Sequence, residues 1–173
     1  MAQSSFLYFA YGSNMFSPRL RAASRAPTAR QARRASLRGH RLSFDKVGSD
    51  DGTGKCDAEW TGDAQDVVHG VLYLIDELDG RALDRAEGLG QGYERATLQV
   101  ESGGVELGCT TYVATHKDPS LRPLCWYKQL VLAGAREHGL PPDYIAGIEA
   151  VAHIDDADLA RREAYQRLLR GEA

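Results

Sequence analysis

The sequence predicts an α+β domain built around an antiparallel or mixed sheet. A buried-strand pattern opens the chain, several further strand patterns occupy its middle, and helical patterns fill its last third. Strands and helices do not alternate regularly, which argues against a parallel α/β sheet. The chain has 173 residues and is expected to form a single domain over residues 1–173.

The first third of the chain is predicted to consist of strands, loops and one short helix. Residues 5–14 form an apolar, aromatic run that ends in a Gly-Ser-Asn turn, as expected for a buried strand entering a loop. A short helix start follows, with Ser17 as N-cap and Pro18 at the first helical position. We predict one strand over residues 37–46. Residues 48–66, rich in Gly and Asp, are expected to form a long loop.

The middle of the chain predicts a strand, a helix and a hairpin in succession. Residues 67–75 are apolar and β-branched, which is typical of a buried strand. Residues 76–88 have apolar side chains at helical spacing and end at Gly88. Two alternating runs then flank Gly103 and Gly104, a strong hairpin signal.

The last third of the chain predicts three helices. The strongest pattern covers residues 123–140 and is followed by two prolines, which stop a helix. Residues 141–154 and 156–171 are further helical segments. Either Asp156 or Asp158 can cap the last helix.

Composition excludes several protein classes. Hydrophobic residues make up 43% and charged residues 26% of the chain, which excludes a disordered protein. No apolar run approaches the length of a membrane span. Three cysteines without Cys-x-x-Cys spacing predict neither a disulfide framework nor a zinc site, and favour a reducing cytoplasm. Cys125 is predicted to be a core cysteine, and the five histidines have no metal-ligand spacing.

Charge is distributed unevenly along the chain. Residues 1–46 hold nine Arg or Lys and one Asp, whereas residues 47–110 hold four basic and fourteen acidic side chains. Such a basic block invites an RNA-binding hypothesis. However, aromatic side chains that could stack on bases do not interleave with it. We therefore predict that residues 19–46 form a solvated face that pairs with the acidic middle of the same chain.

Two loops carry candidate chemistry. After the first strand, Gly12 allows a sharp turn whose backbone N–H groups, with Ser13 and Asn14, could bind an anion or a developing oxyanion. Glu87 ends a helical pattern and precedes three glycines, a position that suits a general base and equally a surface residue. Phenol groups can donate to a bound carboxylate, and the candidates are Tyr8, Tyr11, Tyr93, Tyr112 and Tyr127.

Taken together, these segments resemble the γ-glutamylcyclotransferase family. The run SFLYFAYGSNM is similar to the family's first strand and its Tyr-Gly-Ser-Asn loop. HGVLYLI resembles the strand before the catalytic helix, and LDRAEGLGQGY resembles the family's Leu-Asp-x-x-Glu-Gly segment. CTTYVAT and YKQLVLAGAREHGLPPDYI resemble the later strand and helix, so the resemblance runs in order over residues 5–155.

The resemblance implies a small mixed or antiparallel β-barrel flanked by helices. It also implies an intramolecular reaction without cofactor or metal. The α-amine of a γ-glutamyl group attacks its own γ-carbonyl, forms 5-oxoproline and releases an amine or amino acid. Glu87 is implied as the catalytic acid and base. The implied substrate-binding residues are Tyr8, Phe9, Ala10, Tyr11, Gly12, Ser13, Asn14, Tyr93, Tyr112 and Tyr127.

The partner expected from this resemblance is a small γ-glutamyl compound, with neither nucleic acid nor membrane. Family members are often dimers, and no feature of this sequence decides whether it forms a homodimer. Two alternatives stay open: a non-catalytic small-molecule or partner-binding module on the same fold, and binding of RNA or protein by residues 19–46. The leaving-group pocket decides which γ-glutamyl compound is used, and the sequence does not show it.

Overall fold

The computed structural model describes residues 4–172. The strands are β1 Ser5–Ala10, β2 Arg30–Arg38, β3 His40–Val47, β4 Gly54–Trp60, β5 Val67–Asp76, β6 Tyr93–Ser102 and β7 Val105–Ala114. The helices are α1 Ser17–Leu20, α2 Glu77–Glu87, α3 Cys125–Glu137, α4 Pro142–Ala150 and α5 Leu159–Arg170, and a 3₁₀ turn covers Ser13–Met15. Within the described residues, no helix has the length and apolar character needed to cross a membrane.

Five strands close into a barrel in the order β1-β5-β2-β6-β7. Neighbouring strands are antiparallel except β1 and β7, which run parallel and meet at Tyr8 and Thr110. Strands β3 and β4 form a separate antiparallel sheet. Closure of the barrel pairs its edge strands, which would otherwise expose free backbone groups. The α+β fold with a mixed barrel flanked by helices is therefore confirmed.

Helix α3 holds the loop that follows β1. The backbone N–H of Ser17 donates to Glu137 at the end of α3, with a nitrogen–oxygen distance of 3.0 Å. The carbonyl oxygen of Met15 lies 2.9 Å from Nε2 of His138 and accepts a 2.8 Å hydrogen bond from the hydroxyl of Tyr73 on β5. The 3₁₀ turn is thus fixed from the helix side and from the barrel side.

The sequence predictions for residues 37–66 were partly wrong. The range 37–46, expected to be one strand, holds the end of β2 and most of β3, and the strand structure of residues 30–36 was not predicted. Gly39 lies between the two strands, and its φ of 74° allows the chain to turn from one sheet into the other. The expected loop over 48–66 contains β4. β4 is half-buried although its sequence is polar. Asp57 can be buried there because its carboxylate pairs with the ammonium of Lys117, with an oxygen–nitrogen distance of 2.9 Å.

Several predicted element ends are confirmed by the backbone. Gly88 follows α2 in the left-handed conformation, with a φ of 69°. Gly103 and Gly104, with φ of 62° and 81°, join β6 to β7. Asp158 caps α5 by accepting a hydrogen bond from the backbone of Arg161, so Asp158 and not Asp156 is the cap. Ser17 was predicted to precede α1 as its N-cap, but it is the first residue of that helix.

Asp156 joins α5 to α3 through a buried carboxylate. It accepts hydrogen bonds from Trp126 at 2.7 Å and from two guanidinium nitrogens of Arg161 at 2.6 and 2.7 Å. The Arg161 guanidinium holds the pKa of Asp156 well below its usual range. The rings of Trp126 and Tyr165 stack beside this contact, with centroids 3.8 Å apart.

We expect Asp156→Asn to lower the free energy of unfolding by about 2 kcal/mol, because an amide cannot accept both bonds from Arg161. The depressed pKa adds stability that is present above about pH 4, the ordinary value for Asp, and is lost as the pH falls further. Urea unfolding at pH 7 and pH 3 measures both effects. Equal stability of variant and wild type at pH 7 would contradict the prediction.

Candidate active site

The loop after β1 places Gly12 in close contact with β4 and α3. A Cβ atom on Gly12 would lie 3.1 Å from Cβ of Cys56 and 3.4 Å from the hydroxyl oxygen of Tyr127. Gly12 precedes the 3₁₀ turn, and within residues 4–172 the backbone N–H groups of Gly12 and Ser13 have no protein acceptor. Free N–H groups of this kind are typical of a helix start, where they can receive an anion.

Beside this loop lies a small cavity of about 30 Å³. It lies at the end of β1, where the 3₁₀ turn meets the end of α2, and half of its lining residues are tyrosines. We call it the tyrosine cavity. Its lining residues are Tyr8, Tyr11, Gly12, Ser13, Asn14, Cys56, Glu87, Tyr93, Tyr112 and Tyr127.

The carboxylate of Glu87 is held at one oxygen. Oε1 accepts hydrogen bonds from Nδ2 of Asn14 at 2.7 Å and from Nη1 of Arg25 at 3.0 Å. Both side chains of the Arg25 ion pair are largely buried, at 15% and 17% exposure. Among the described residues Oε2 has no hydrogen-bond partner. The arrangement fixes the direction of the carboxylate and leaves one oxygen for another group.

The tyrosine hydroxyls differ in their hydrogen-bond partners. Those of Tyr11 and Tyr93 donate to the backbone carbonyls of Tyr112 and Cys56, respectively. The hydroxyl of Tyr112 donates to a carboxylate oxygen of Asp84 at 2.7 Å. These three phenols therefore line the cavity with their donors already engaged.

Two tyrosines keep a free donor. The hydroxyl oxygen of Tyr8 accepts a 3.1 Å hydrogen bond from Asn14, and that of Tyr127 accepts a 3.1 Å hydrogen bond from the backbone N–H of Cys56. No acceptor for the hydroxyl proton of Tyr8 lies within the described part of the chain, and that of Tyr127 has only the thiol of Cys56, a weak acceptor, beside it. Burial raises the pKa of Tyr8 and of Tyr127 well above the usual value. Both phenols are thus protonated at neutral pH and able to donate to a ligand.

Nine of the eleven predicted site residues line this cavity, and Phe9 and Ala10 do not. Both lie in the barrel core, with at most 1% exposure. The ring of Phe9 packs against Gly70, where a Cβ would come within 2.7 Å of it. The structure therefore gives these two residues a packing position, although they flank cavity residues in sequence.

Cys56 lines the tyrosine cavity and Arg25 binds the carboxylate of Glu87, although the sequence patterns indicate neither. Cys56 lies on β4, in the segment predicted to be a loop, and its backbone binds two tyrosine hydroxyls. Burial raises the pKa of Cys56 to about 12, so the thiol is protonated at neutral pH and is a poor nucleophile. Arg25 was assigned to a solvated face, and no local pattern distinguished it from its neighbours.

The predicted pairing of the basic block with the acidic middle of the chain is confirmed in part. Arg25, Arg30 and Arg41 form ion pairs with Glu87, Asp76 and Glu59, respectively. The prediction of a solvated face was wrong for three members of the block, since these line a cavity: Arg19, Arg25 and Lys46.

Cys125 lies partly exposed at the start of α3, so its assignment to the core was wrong. Its sulfur lies within 4.8 Å of ligand atoms of His153 and Asp155, a grouping that sequence spacing did not indicate. The ammonium of Lys128 lies 3.3 Å from Nδ1 of His153. A lysine cation at this distance repels a metal cation, so the grouping is a poor metal site.

Comparison with known proteins identifies the family. The AIG2-like family model matches residues 67–148. Human γ-glutamylcyclotransferase is 30% identical over 179 residues, covering 98% of this chain and 91% of the human protein. The chain belongs to the γ-glutamylcyclotransferase family. The bovine γ-glutamylcyclotransferase is likewise 30% identical, over 98% of this chain and 90% of its own length.

A solved γ-glutamyl cyclotransferase structure shares this fold. It superposes with a TM-score of 0.82 at 27% sequence identity, covering 95% of this chain and 99% of the other. The likeness in fold therefore extends over nearly the whole of this chain.

Proposed function

We propose that this protein is a γ-glutamylcyclotransferase and that the tyrosine cavity is its active site. Family membership over nearly the whole chain supports the reaction class. One observation carries the assignment of the site: the carboxylate of Glu87 stands in the cavity with Oε1 fixed by two donors and Oε2 free. A fixed carboxylate with one open oxygen is suited to accept and return a proton.

The reaction forms one bond and breaks one. The α-amine nitrogen of the substrate attacks its γ-carbonyl carbon, a five-membered lactam closes, and the bond to the leaving nitrogen breaks. The attacking amine loses a proton and the leaving nitrogen gains one. Oε2 of Glu87 takes the first proton and delivers it to the leaving nitrogen. Since the nucleophile belongs to the substrate, orientation supplies part of the rate and no protein nucleophile is needed.

Charge that develops on the γ-carbonyl oxygen needs hydrogen-bond donors. The free backbone N–H groups of Gly12 and Ser13 serve as the oxyanion hole in this proposal. One such donor is worth about 2.7–4 kcal/mol in a well-studied hydrolase. The hydroxyl protons of Tyr8 and Tyr127 have no oxygen or nitrogen acceptor in the described residues, and we assign them to the α-carboxylate of the substrate.

Ser13→Ala tests whether the backbone or the hydroxyl of Ser13 acts. The Ser13 hydroxyl accepts a 3.0 Å hydrogen bond from Nε of Arg19 and takes no part in the proposed chemistry. We expect kcat to fall by less than about fivefold, equivalent to about 1 kcal/mol. Steady-state release of 5-oxoproline measures it. A loss as large as that expected for removal of the Glu87 carboxylate would assign a catalytic role to the hydroxyl.

The activity itself is tested with a panel of γ-glutamyl compounds that includes γ-glutamyl-alanine and glutathione. We expect 5-oxoproline release from at least one of them, in an amount equal to the released amine or amino acid. Absence of release from every compound would refute the proposal. In that case, a thermal shift with 5-oxoproline would show whether a binding module occupies the same fold.

A further inference from the structure

A second cavity, of about 140 Å³, opens next to the tyrosine cavity. The two share the side chains of Ser13, Glu87, Tyr93 and Tyr127. A leaving group that departs from the reacting carbon beside Glu87 therefore enters this second space, which we call the antechamber. Its lining includes parts of α5 and of the segment before β4, neither of which reaches the tyrosine cavity.

The wall of the antechamber carries more cations than anions. Its basic side chains are Arg19, Arg25, Lys46, Lys55 and Arg161, and its acidic ones are Asp50, Asp51 and Glu87. Three of the cations have carboxylate partners: Arg25 pairs with Glu87, Lys55 with Asp51, and Arg161 with Asp156. Within residues 4–172, Arg19 and Lys46 have no carboxylate within 4 Å. Asp50 is exposed at the rim.

Lys46 is buried to an unusual degree for an unpaired lysine. It is 3% exposed, and its ammonium lies 4.4 Å from the ring centroid of Tyr93, a residue shared by both cavities. Burial lowers its pKa. A charged group is costly to bury without a partner, and Lys46 has no acceptor in the described chain. Its position beside Tyr93 therefore suits an anionic group close to the reacting carbon.

Arg19 occupies a different part of the wall. Its Nε donates to the hydroxyl of Ser13, and its guanidinium carbon lies 5.3 Å from the ring centroid of Tyr165, which lines only the antechamber. Its terminal nitrogens have no carboxylate partner within residues 4–172 and can bind one in a bidentate manner. Burial is the largest cause that lowers the pKa of Arg25, and electrostatic repulsion by Arg19 is the second. The two guanidinium groups therefore lie close enough to repel each other.

A single carboxylate on the leaving group can pair with only one of the two unpaired cations, Arg19 and Lys46. The α-carboxylate of a leaving amino acid is attached one carbon from the departing nitrogen, and it reaches Lys46 near Tyr93. Arg19 is then left for a group farther out. We infer that the antechamber selects leaving amino acids with a second carboxylate, so that γ-glutamyl-glutamate is preferred over its neutral isostere γ-glutamyl-glutamine. This inference rests on the proposed function and names its substrate class.

The test compares kcat/KM for γ-glutamyl-glutamate and γ-glutamyl-glutamine at low ionic strength. We expect a preference for the glutamate compound of about tenfold or more, since a charged hydrogen bond is worth about 1.5–3 kcal/mol. Arg19→Gln is expected to reduce this ratio to near one. Lys46→Gln is expected to raise KM for both substrates alike, and the exposed control Arg33→Gln to preserve the ratio.

The outcomes separate the inference from the proposed function. Turnover of both substrates without a preference would overturn the inference and leave the cyclotransferase activity in place. Failure of every γ-glutamyl compound to yield 5-oxoproline would overturn the proposed function. Calorimetric binding of the two substrates to Glu87→Gln and to the double variant Glu87→Gln/Arg19→Gln then tests the subsite without turnover, since Arg25 loses its ion-pair partner in both. A preference for γ-glutamyl-glutamate that is lost with Arg19 would support the subsite. Equal binding of the two substrates, or a preference that persists in the double variant, would refute it.

Discussion

Glu87→Gln is expected to lower kcat by about 10²–10⁴-fold, the range that general acid–base catalysis supplies. The amide keeps the shape of the side chain, and its oxygen can still accept from Asn14 and Arg25. It cannot take a proton from the attacking amine or return one to the leaving nitrogen. The variant therefore lacks the group that transfers the proton, while the shape of the cavity is unchanged. Single-turnover release of 5-oxoproline is the measurement.

The matched control is Glu106→Gln, which neutralises an exposed glutamate on β7, outside both cavities. Its rate should equal that of the wild type. Because Glu87→Gln leaves the largely buried Arg25 without its ion-pair partner, the melting temperature of both variants is needed beside the rates. A folded Glu87→Gln variant within about fivefold of the wild-type rate, a difference of about 1 kcal/mol, would exclude Glu87 as the acid and base.

Gly134→Ala is expected to destabilise the protein by about 2 kcal/mol, although alanine in a helix is usually more stable than glycine by about 1 kcal/mol. Gly134 lies on α3, where a Cβ would come within 2.5 Å of both Cβ of Met15 and the backbone nitrogen of Phe16. The clash involves backbone that cannot rotate away. Either α3 or the 3₁₀ turn must move, and that turn carries Ser13 and Asn14.

The expected result for Gly134→Ala is a lower free energy of unfolding in urea together with a reduced kcat/KM. Gly147→Ala on α4 is the matched control, because a Cβ there has no other atom within 4 Å. This control should gain up to about 1 kcal/mol from its helix propensity. Equal free energies of unfolding for Gly134→Ala and Gly147→Ala would show that a Cβ at position 134 does not clash with the 3₁₀ turn.

The sequence contained enough local information for most elements of this fold. The helices at 77–87 and 125–137 and the hairpin around Gly103 and Gly104 follow from apolar spacing and from glycines at turns. The order of motifs around Glu87 and the Tyr-Gly-Ser-Asn loop was sufficient for the family resemblance. In contrast, β4 was overlooked, because Asp57 is polar in sequence yet buried through its ion pair with Lys117.

The sequence by itself determined the α+β class, the family resemblance and the candidacy of Glu87, since these depend on residue spacing along the chain. Only the tertiary structure decided which partners Glu87 has and which tyrosines keep a free hydroxyl. Arg25 is distant from Glu87 in sequence and meets it where the segment between α1 and β2 passes the end of α2. Long-range contacts of this kind depend on how helices and strands pack, and they cannot be inferred from the residues next to Arg25 in the sequence.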